Sequence, residues 1–142
     1  MERLHPQTDI ENIGKYSCLL QCYIYCAGIQ LDTLEYFKIC LHAVNAGVMV
    51  SGVAGDCTVE NASLFLEWLT GRHYLISKKV IYTINNIKPP TPVKYAYTDN
   101  KGIRHEHFVV VKDGVIVFDP LLNSNSVAKG RPESARIISI AR

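Results

Sequence analysis

One cysteine of this sequence lies where thiol chemistry is favoured. Cys18 follows Ser17, a common N-cap residue, and begins an apolar, helix-compatible stretch that Gly28 stops. The pattern predicts a helix over residues 18–27 with Cys18 at its N-terminus. Unpaired backbone N–H groups and the helix dipole favour a thiolate at that position. Cys18 is therefore a candidate nucleophile.

A histidine and an acid follow far downstream, on two segments predicted to be neighbouring strands. His107 opens the apolar run 107–111, and Asp119 closes the next strand-like segment, 115–119. Residues 112–114 read Lys-Asp-Gly, which is typical of a tight hairpin, and pairing about that turn matches residue i with roughly 226 − i. We therefore expect Asp119 directly opposite His107, with about 5 Å between their Cβ atoms. A histidine beside Cys18 could form an imidazolium–thiolate pair, and Asp119 would fix the histidine tautomer.

Helical patterns occupy the N-terminal half of the chain and strand patterns the C-terminal half. Asp32 can cap a second helix that ends at Asn45, and a third helix is predicted over residues 58–70, after a glycine-containing loop at 47–55. The predicted strands are residues 80–84, 93–98, 103–112, 115–119 and 136–140. Hairpin-type turn signals join three of them into an antiparallel meander. This order predicts an α+β fold, with N-terminal helices packed on a C-terminal antiparallel sheet.

Composition limits the classes of protein to which this chain can belong. With 142 residues, 48% hydrophobic and 20% charged, it can bury one core, so we expect residues 1–142 to form a single domain. A formal charge of +2 without a basic stripe disfavours nucleic acid as a partner. The first residues do not resemble a signal peptide and no stretch reaches about 18 apolar residues, so we expect no membrane association. Five cysteines within the first 57 residues disfavour a disulfide framework and indicate a reducing, cytoplasmic location.

The other chemistry-bearing residues have simpler interpretations. The remaining cysteines are expected to be small core residues: Cys22, Cys26, Cys40 and Cys57. Cysteines recur every four residues from Cys18, but thiolate metal sites use a tight Cys-x-x-Cys loop and ligands from a second element. We therefore expect no metal site. No motif indicates a cofactor. Asp56 would raise the pKa of the adjacent Cys57 thiol, which disfavours a second nucleophile there. His105 shares the predicted face of His107 and is an alternative base.

Three short motifs resemble those of a known family. Residues 12–20 (Asn-Ile-Gly-Lys-Tyr-Ser-Cys-Leu-Leu), with His-Phe-Val-Val-Val at 107–111 and Phe-Asp-Pro at 118–120, resemble the papain-like fold of cysteine peptidases. Within that superfamily, the chain is similar to the compact double-glycine leader peptidases of bacteriocin exporters. It is still more similar to a small uncharacterised family found in bacteria and prophages, which has a similar Asp-Pro and a tail like residues 124–137. The resemblance covers both ends of the chain and leaves residues 30–92 largely without motif support.

The resemblance implies a role for each motif residue. It makes Cys18 the nucleophile, His107 the general base and Asp119 the orienting group of a Cys-His-Asp triad. The fold normally adds a glutamine about six positions before the cysteine as an oxyanion donor, and this chain has Asn12 there. Asn12 also carries an amide donor, and Gln7 is an alternative if the loop is longer. The backbone N–H of Cys18 would be the other donor.

The function that the resemblance implies is hydrolysis of a peptide or amide bond through a thioester acyl-enzyme. The expected partner is therefore a peptide or amide substrate. Two departures from the family pattern leave an alternative: Asn12 replaces glutamine, and Ser17 lies where many relatives have a glycine next to the cysteine. The alternative is a papain-like module that has lost catalysis and serves in binding or assembly.

Overall fold

The computed structural model describes residues 17–47, 49–51, 57–59, 62–122 and 124–140. Its helices are α1 (Cys18–Cys26), α2 (Thr33–Asn45), α3 (Ala62–Thr70) and α4 (Asn125–Lys129). Its strands are β1 (Met49–Ser51), β2 (Cys57–Val59), β3 (Tyr74–Val80), β4 (Thr91–Thr98), β5 (Arg104–Lys112), β6 (Val115–Phe118) and β7 (Arg131–Ile140). In this described part of the chain, no helix is long and apolar enough to cross a membrane.

Five strands form an antiparallel sheet in the order β3-β7-β4-β5-β6, and β1 pairs separately with β2. The consecutive strands β4, β5 and β6 form the predicted meander. The last strand, β7, returns to lie between β3 and β4. The first three helices pack on one face of this sheet, so the predicted α+β class is confirmed.

A first apolar cluster joins these helices to the sheet. The buried residues that α1 contributes to it are Leu19, Leu20, Cys22, Tyr23 and Ile24. A helix that is apolar on nearly all sides is suited to such burial. Phe108 and Val110 of β5 face it across the cluster. This packing holds α1 against β5, the strand that carries His107.

A second apolar cluster covers the opposite face of the sheet. Val109 and Val111 alternate with Phe108 and Val110 along β5, so they point away from the helices. The residues that pack with them are Val93, Tyr95 and Ala135 from the sheet, Ile81, Ile84 and Ile87 from the loop after β3, Ile116 from β6 and Val127 from α4. Residues 107–111 are consequently buried on both faces.

The hairpin between β5 and β6 has a two-residue turn, because Lys112, predicted to be part of the turn at 112–114, pairs with Val115. Asp113 and Gly114 have positive φ angles of 51° and 72°, the conformation of a type I′ turn, in which Asp-Gly is favoured. Their N–H groups donate to the carbonyl oxygens of Lys88 at 3.0 Å and Ile87 at 2.9 Å. The tip of the hairpin is therefore tied to the loop that covers the second cluster.

Several predicted bounds are wrong. Residues 57–59 form β2 rather than the start of a helix, because they pair with β1, so α3 begins at Ala62. The first strand of the large sheet is residues 74–80 and not 80–84, since Ile81 and Ile84 leave the ladder and cover the second face. Part of the predicted loop at 47–55 forms β1, and its residues 48 and 52–55 lie outside the described ranges.

Candidate active site

Cys18 is the first residue of α1, as predicted, and it is partly exposed. Its neighbours Leu19 and Leu20 are buried in the first cluster, so the start of the helix is held against the sheet. The helix ends at Cys26, one residue before the predicted end, and Gly28 follows the last turn with a φ angle of 78°, a left-handed conformation that favours glycine. Cys18 is therefore a partly exposed cysteine at a helix N-terminus, and its buried neighbours hold that N-terminus in place.

His107 is buried on β5, with 4% of its surface exposed, and it joins Cys18 to Asp119. Its Nε2 lies 2.7 Å from Oδ1 of Asp119, within hydrogen-bond range. The ring also makes a side-chain hydrogen bond with the Cys18 thiol. Because Asp119 engages Nε2, Nδ1 is the nitrogen that remains for the sulfur. The three side chains thus lie in one hydrogen-bonded row, which we call the Cys18-His107-Asp119 row.

Asp119 reaches His107 by a route that differs from simple hairpin pairing. A bulge between Val110 and Val111 shifts the register of β5 and β6, so that Val110 pairs with Phe118. The predicted direct opposition of residues 119 and 107 is therefore wrong. The strand β6 ends at Phe118, and Asp119 begins the turn beyond the ladder, from which its carboxylate reaches the ring of His107.

The turn after β6 fixes the Asp119 carboxylate. Oδ1 also accepts from the N–H of Leu121 at 2.9 Å, and Oδ2 accepts from the N–H of Ser124 at 3.2 Å. The Ser124 hydroxyl in turn accepts from the N–H of Val127 and caps α4. Backbone donors therefore orient the acid together with His107. The sequence motifs do not assign this role to Ser124, although an acid followed by a polar turn is a sequence signal for such bonds.

Electrostatics favour an ionised pair of His107 and Asp119. Burial by itself would lower the pKa of His107, but the hydrogen bonds and charges of Cys18 and Asp119 outweigh it and raise that pKa above its ordinary value. Burial would likewise raise the pKa of Asp119, yet hydrogen bonds from His107, Leu121 and Ser124 hold that pKa below its ordinary value. These two shifts widen the pH range in which an imidazolium lies beside a carboxylate, and such an imidazolium can stabilise a thiolate on Cys18.

The other described cysteines lack this environment. Cys22 and Cys40 are buried and Cys26 is partly buried, all in the first cluster, which confirms them as packing residues. Burial raises the pKa of Cys22 well above its ordinary value and that of Cys26 to about 12. Burial also raises the pKa of Cys40 to about 11, despite a hydrogen bond with Ser17. Such thiols are poor nucleophiles at neutral pH. The side chain of Cys57 lies outside the described residues.

Ser17 occupies the N-cap position of α1, as predicted, but its side chain makes no capping hydrogen bond. Its hydroxyl accepts from Nε2 of Gln21 at 2.6 Å and also interacts with the thiol of Cys40. These contacts tie the residue before Cys18 to both α1 and α2. Gln21 was visible in the sequence as a polar residue in an otherwise apolar helix, one turn after Ser17.

His105, the alternative base, is not part of the row. Its Nε2 lies 2.8 Å from Oδ2 of Asp99, and its ring stacks on Tyr97 with 4.8 Å between centroids. It is therefore a second histidine with its own acid partner, on the same strand as His107. Asn12 and Gln7, the two expected oxyanion donors, lie outside the described residues.

Comparisons with protein-family models, with curated proteins and with solved structures found no match. Among the residues that the structure describes, no group of three or more histidine, cysteine, aspartate or glutamate side chains could hold a metal ion. The chemistry visible at the site is that of a thiol, an imidazole and a carboxylate.

Proposed function

We propose that this protein is a cysteine-dependent hydrolase that cleaves a peptide or amide bond with Cys18, His107 and Asp119 as its triad. The observation that carries the proposal is the hydrogen-bonded row, in which His107 contacts the thiol on one side and the carboxylate on the other. A nucleophile, a base and an orienting acid in this order are what nucleophilic acyl transfer requires.

In the first half-reaction, the thiolate of Cys18 attacks the carbonyl carbon of the substrate. The helix N-terminus and the imidazolium of His107 stabilise that thiolate before the attack. As the C–N bond breaks, the imidazolium gives its proton to the leaving amine, and a thioester remains on Cys18. Asp119 keeps the ring oriented and stabilises its positive charge.

In the second half-reaction, water attacks the thioester. Neutral His107 accepts a proton from the water, the C–S bond breaks and a carboxylic acid leaves. The thiolate and imidazolium are then restored. The sum of the two steps is amide plus water to amine plus acid.

The proposal includes a papain-like fold. Two features support it: a helix that begins with the cysteine packs against an antiparallel sheet that carries the histidine, and the motifs at 12–20, 107–111 and 118–120 resemble that superfamily. The proposed oxyanion donors are the side-chain amide of Asn12 and the backbone N–H of Cys18.

The test is the reactivity of Cys18 toward a small electrophile. At neutral pH, limiting iodoacetamide should label Cys18 at least about tenfold faster than Cys22, Cys26 or Cys40, because those thiols are buried and Cys18 has an imidazole partner. Peptide mapping by mass spectrometry gives the rate at each site. His107→Ala should remove most of the advantage of Cys18.

His105→Ala is the matched control, since His105 lies two residues from His107 on the same strand and has its own acid partner, Asp99. It should leave the labelling rate of Cys18 within about twofold of the wild-type rate. Equal labelling of the four cysteines, or no effect of His107→Ala, would contradict the proposal.

A second reagent separates an enzyme from the rival, an inactive papain-like binding or assembly module. p-Nitrophenyl acetate should acetylate Cys18, and the thioester should then hydrolyse with continued release of nitrophenol. Intact-protein mass spectrometry follows the acetyl group. An acetyl thioester that forms and persists would favour the rival.

A further inference from the structure

A cavity of about 350 Å³ lies between α1, α2 and the turn after β6. Ligand pockets usually measure roughly 300–1,000 Å³, so this cavity suits one side chain or a small fragment. Leu31, Tyr36, Phe37 and Phe118 give it largely apolar and aromatic walls. Such walls bind apolar groups better than charged ones.

Two residues connect this cavity to the proposed triad. Asp119 lines the cavity and also bonds to His107. Gln21 lines it as well, and it lies three residues after Cys18, on a neighbouring part of the same side of α1. A group in the cavity would therefore lie beside the acid and along the helix that carries the thiol.

The charges around the cavity also favour an apolar occupant. Among the described residues that line it, Asp119 is the only charged one. Its two oxygens already accept hydrogen bonds from His107, Leu121 and Ser124. An anionic substrate group would find no cation among these lining residues, and a cationic one would find only a carboxylate that already accepts three hydrogen bonds, one of them from His107.

We infer that this cavity is the specificity pocket of the proposed hydrolase, and that it takes a large apolar side chain, such as leucine, from the substrate residue next to the cleaved bond. The role in catalysis rests on the proposed function. The preference for an apolar occupant can be measured separately, by binding.

Binding is tested on the full chain with two model compounds. N-acetyl-leucine amide at millimolar concentration should shift the backbone amide NMR signals of Gln21, Thr33 and Tyr36, whereas N-acetyl-glycine amide should leave them unchanged. No shift from the leucine compound, or equal shifts from both compounds, would overturn the assignment of this cavity as an apolar specificity pocket. That result would hold whether or not Cys18 is reactive.

A pair of tryptophan variants tests the position of the occupant. Thr33 lines the cavity and is exposed, so Thr33→Trp can fill the cavity without disturbing the core. Leu34→Trp is the matched control, because Leu34 is the next residue of α2, is 60% exposed and does not line the cavity. The leucine compound should bind Thr33→Trp at least about tenfold more weakly than wild type and Leu34→Trp within about twofold. Equal binding to both variants would overturn the assignment.

Use of the pocket in the reaction is tested with two chloromethyl ketones, acetyl-leucyl and acetyl-glycyl, which differ only in the side chain. Each alkylates the Cys18 thiolate, forming a C–S bond and releasing chloride. The leucyl probe should label Cys18 at least about tenfold faster, since even one methylene in an apolar pocket is worth about tenfold or more. Thr33→Trp should lose this preference, whereas Leu34→Trp should keep it.

The two proposals fail in different ways. If iodoacetamide labels Cys18 selectively but the leucyl and glycyl probes react equally fast, the specificity pocket is overturned and the proposed function stands. If iodoacetamide shows no selectivity for Cys18 while the leucine compound still binds, the proposed function fails and the apolar binding site stands.

Discussion

Burial of His107 disfavours its protonated form, but Cys18 and Asp119 favour that form and outweigh the burial. Because folding raises the pKa of His107, the protonated ring stabilises the fold below its ordinary pKa, and this contribution is lost as pH rises through the raised value. Folding lowers the pKa of Asp119, so its contribution is present above the ordinary value and is lost as pH falls through the lowered one. The pair therefore stabilises the fold most between the ordinary pKa of Asp119 and the ordinary pKa of His107, and the contribution declines toward the shifted value on either side.

At the residue scale, Asp119→Asn should lower the pKa of His107, because the charge of the carboxylate no longer offsets the effect of burial on that pKa. An NMR titration of the His107 ring measures this shift. The free energy of unfolding should fall by about 1.5–3 kcal/mol in the pH range where the pair is ionised, the usual worth of a hydrogen bond to a charged group. The loss should be smaller at higher pH, where His107 is neutral in both proteins.

The matched control is Asp99→Asn, which removes the acid partner of His105 and not that of His107. It should leave the titration of His107 unchanged. An unshifted His107 pKa in Asp119→Asn would show that the carboxylate does not hold the proton on the ring.

At the element scale, the short helix α4 holds the acid of the row. Ser124 caps this helix and donates its N–H to Asp119. The helix is followed by Gly130, where a Cβ atom would lie 2.5 Å from the carbonyl oxygen of Ala96 on β4 and still closer to that of Ser126. The φ angle of −103° is open to any residue, so the close approach of the two backbones is what requires glycine here.

Gly130→Ala should lower the free energy of unfolding by about 1–3 kcal/mol, the usual effect of forcing an atom into a packed site. Because α4 must shift away from β4, the turn that orients Asp119 should shift too, and iodoacetamide should label Cys18 more slowly. Urea unfolding followed by circular dichroism measures the first effect, and peptide mapping measures the second. Asn125→Ala, at an exposed position of α4, should change neither. Wild-type stability in Gly130→Ala would contradict the close approach.

At the scale of the whole molecule, one strand joins the two apolar clusters. Val110 of β5 belongs to the cluster under the helices, and its neighbour Val109 belongs to the cluster on the other face. Loss of either cluster should disturb the strand that both share. We therefore predict that the chain unfolds in one transition, as a single domain of residues 1–142 would.

Val109→Ala tests this coupling. Val109 is fully buried, and removal of two methyl groups should cost about 2 kcal/mol. Trp68 is the single tryptophan and stacks on His42 at 4.3 Å, so its fluorescence reports on α2 and α3, on the other face of the sheet. The urea midpoints from fluorescence and from circular dichroism should shift together. Val117 is 40% exposed on β6, so the control Val117→Ala should shift both urea midpoints much less. Separate midpoints in Val109→Ala would indicate two independent units.

The sequence by itself determined the local features of this protein. The stop at Gly28, the cap of α2 by Asp32 and the Asp113-Gly114 turn could all be predicted, because they depend on backbone preferences within a few residues. Cys18 could be placed at a helix start for the same reason. The contact of His107 with Asp119 could also be predicted, since a tight hairpin joins their segments.

Only the tertiary structure decided how these local features meet. The bulge at Val110, the contact of Ser17 with Cys40, and the departure of residues 81–84 from the sheet have no reliable local signal. Each is the result of packing between segments far apart in sequence, where filling an apolar cluster or satisfying a buried hydroxyl outweighs small local preferences. The cavity beside Asp119 arises in the same way, because α1, α2 and the turn after β6 meet there only after the chain has folded.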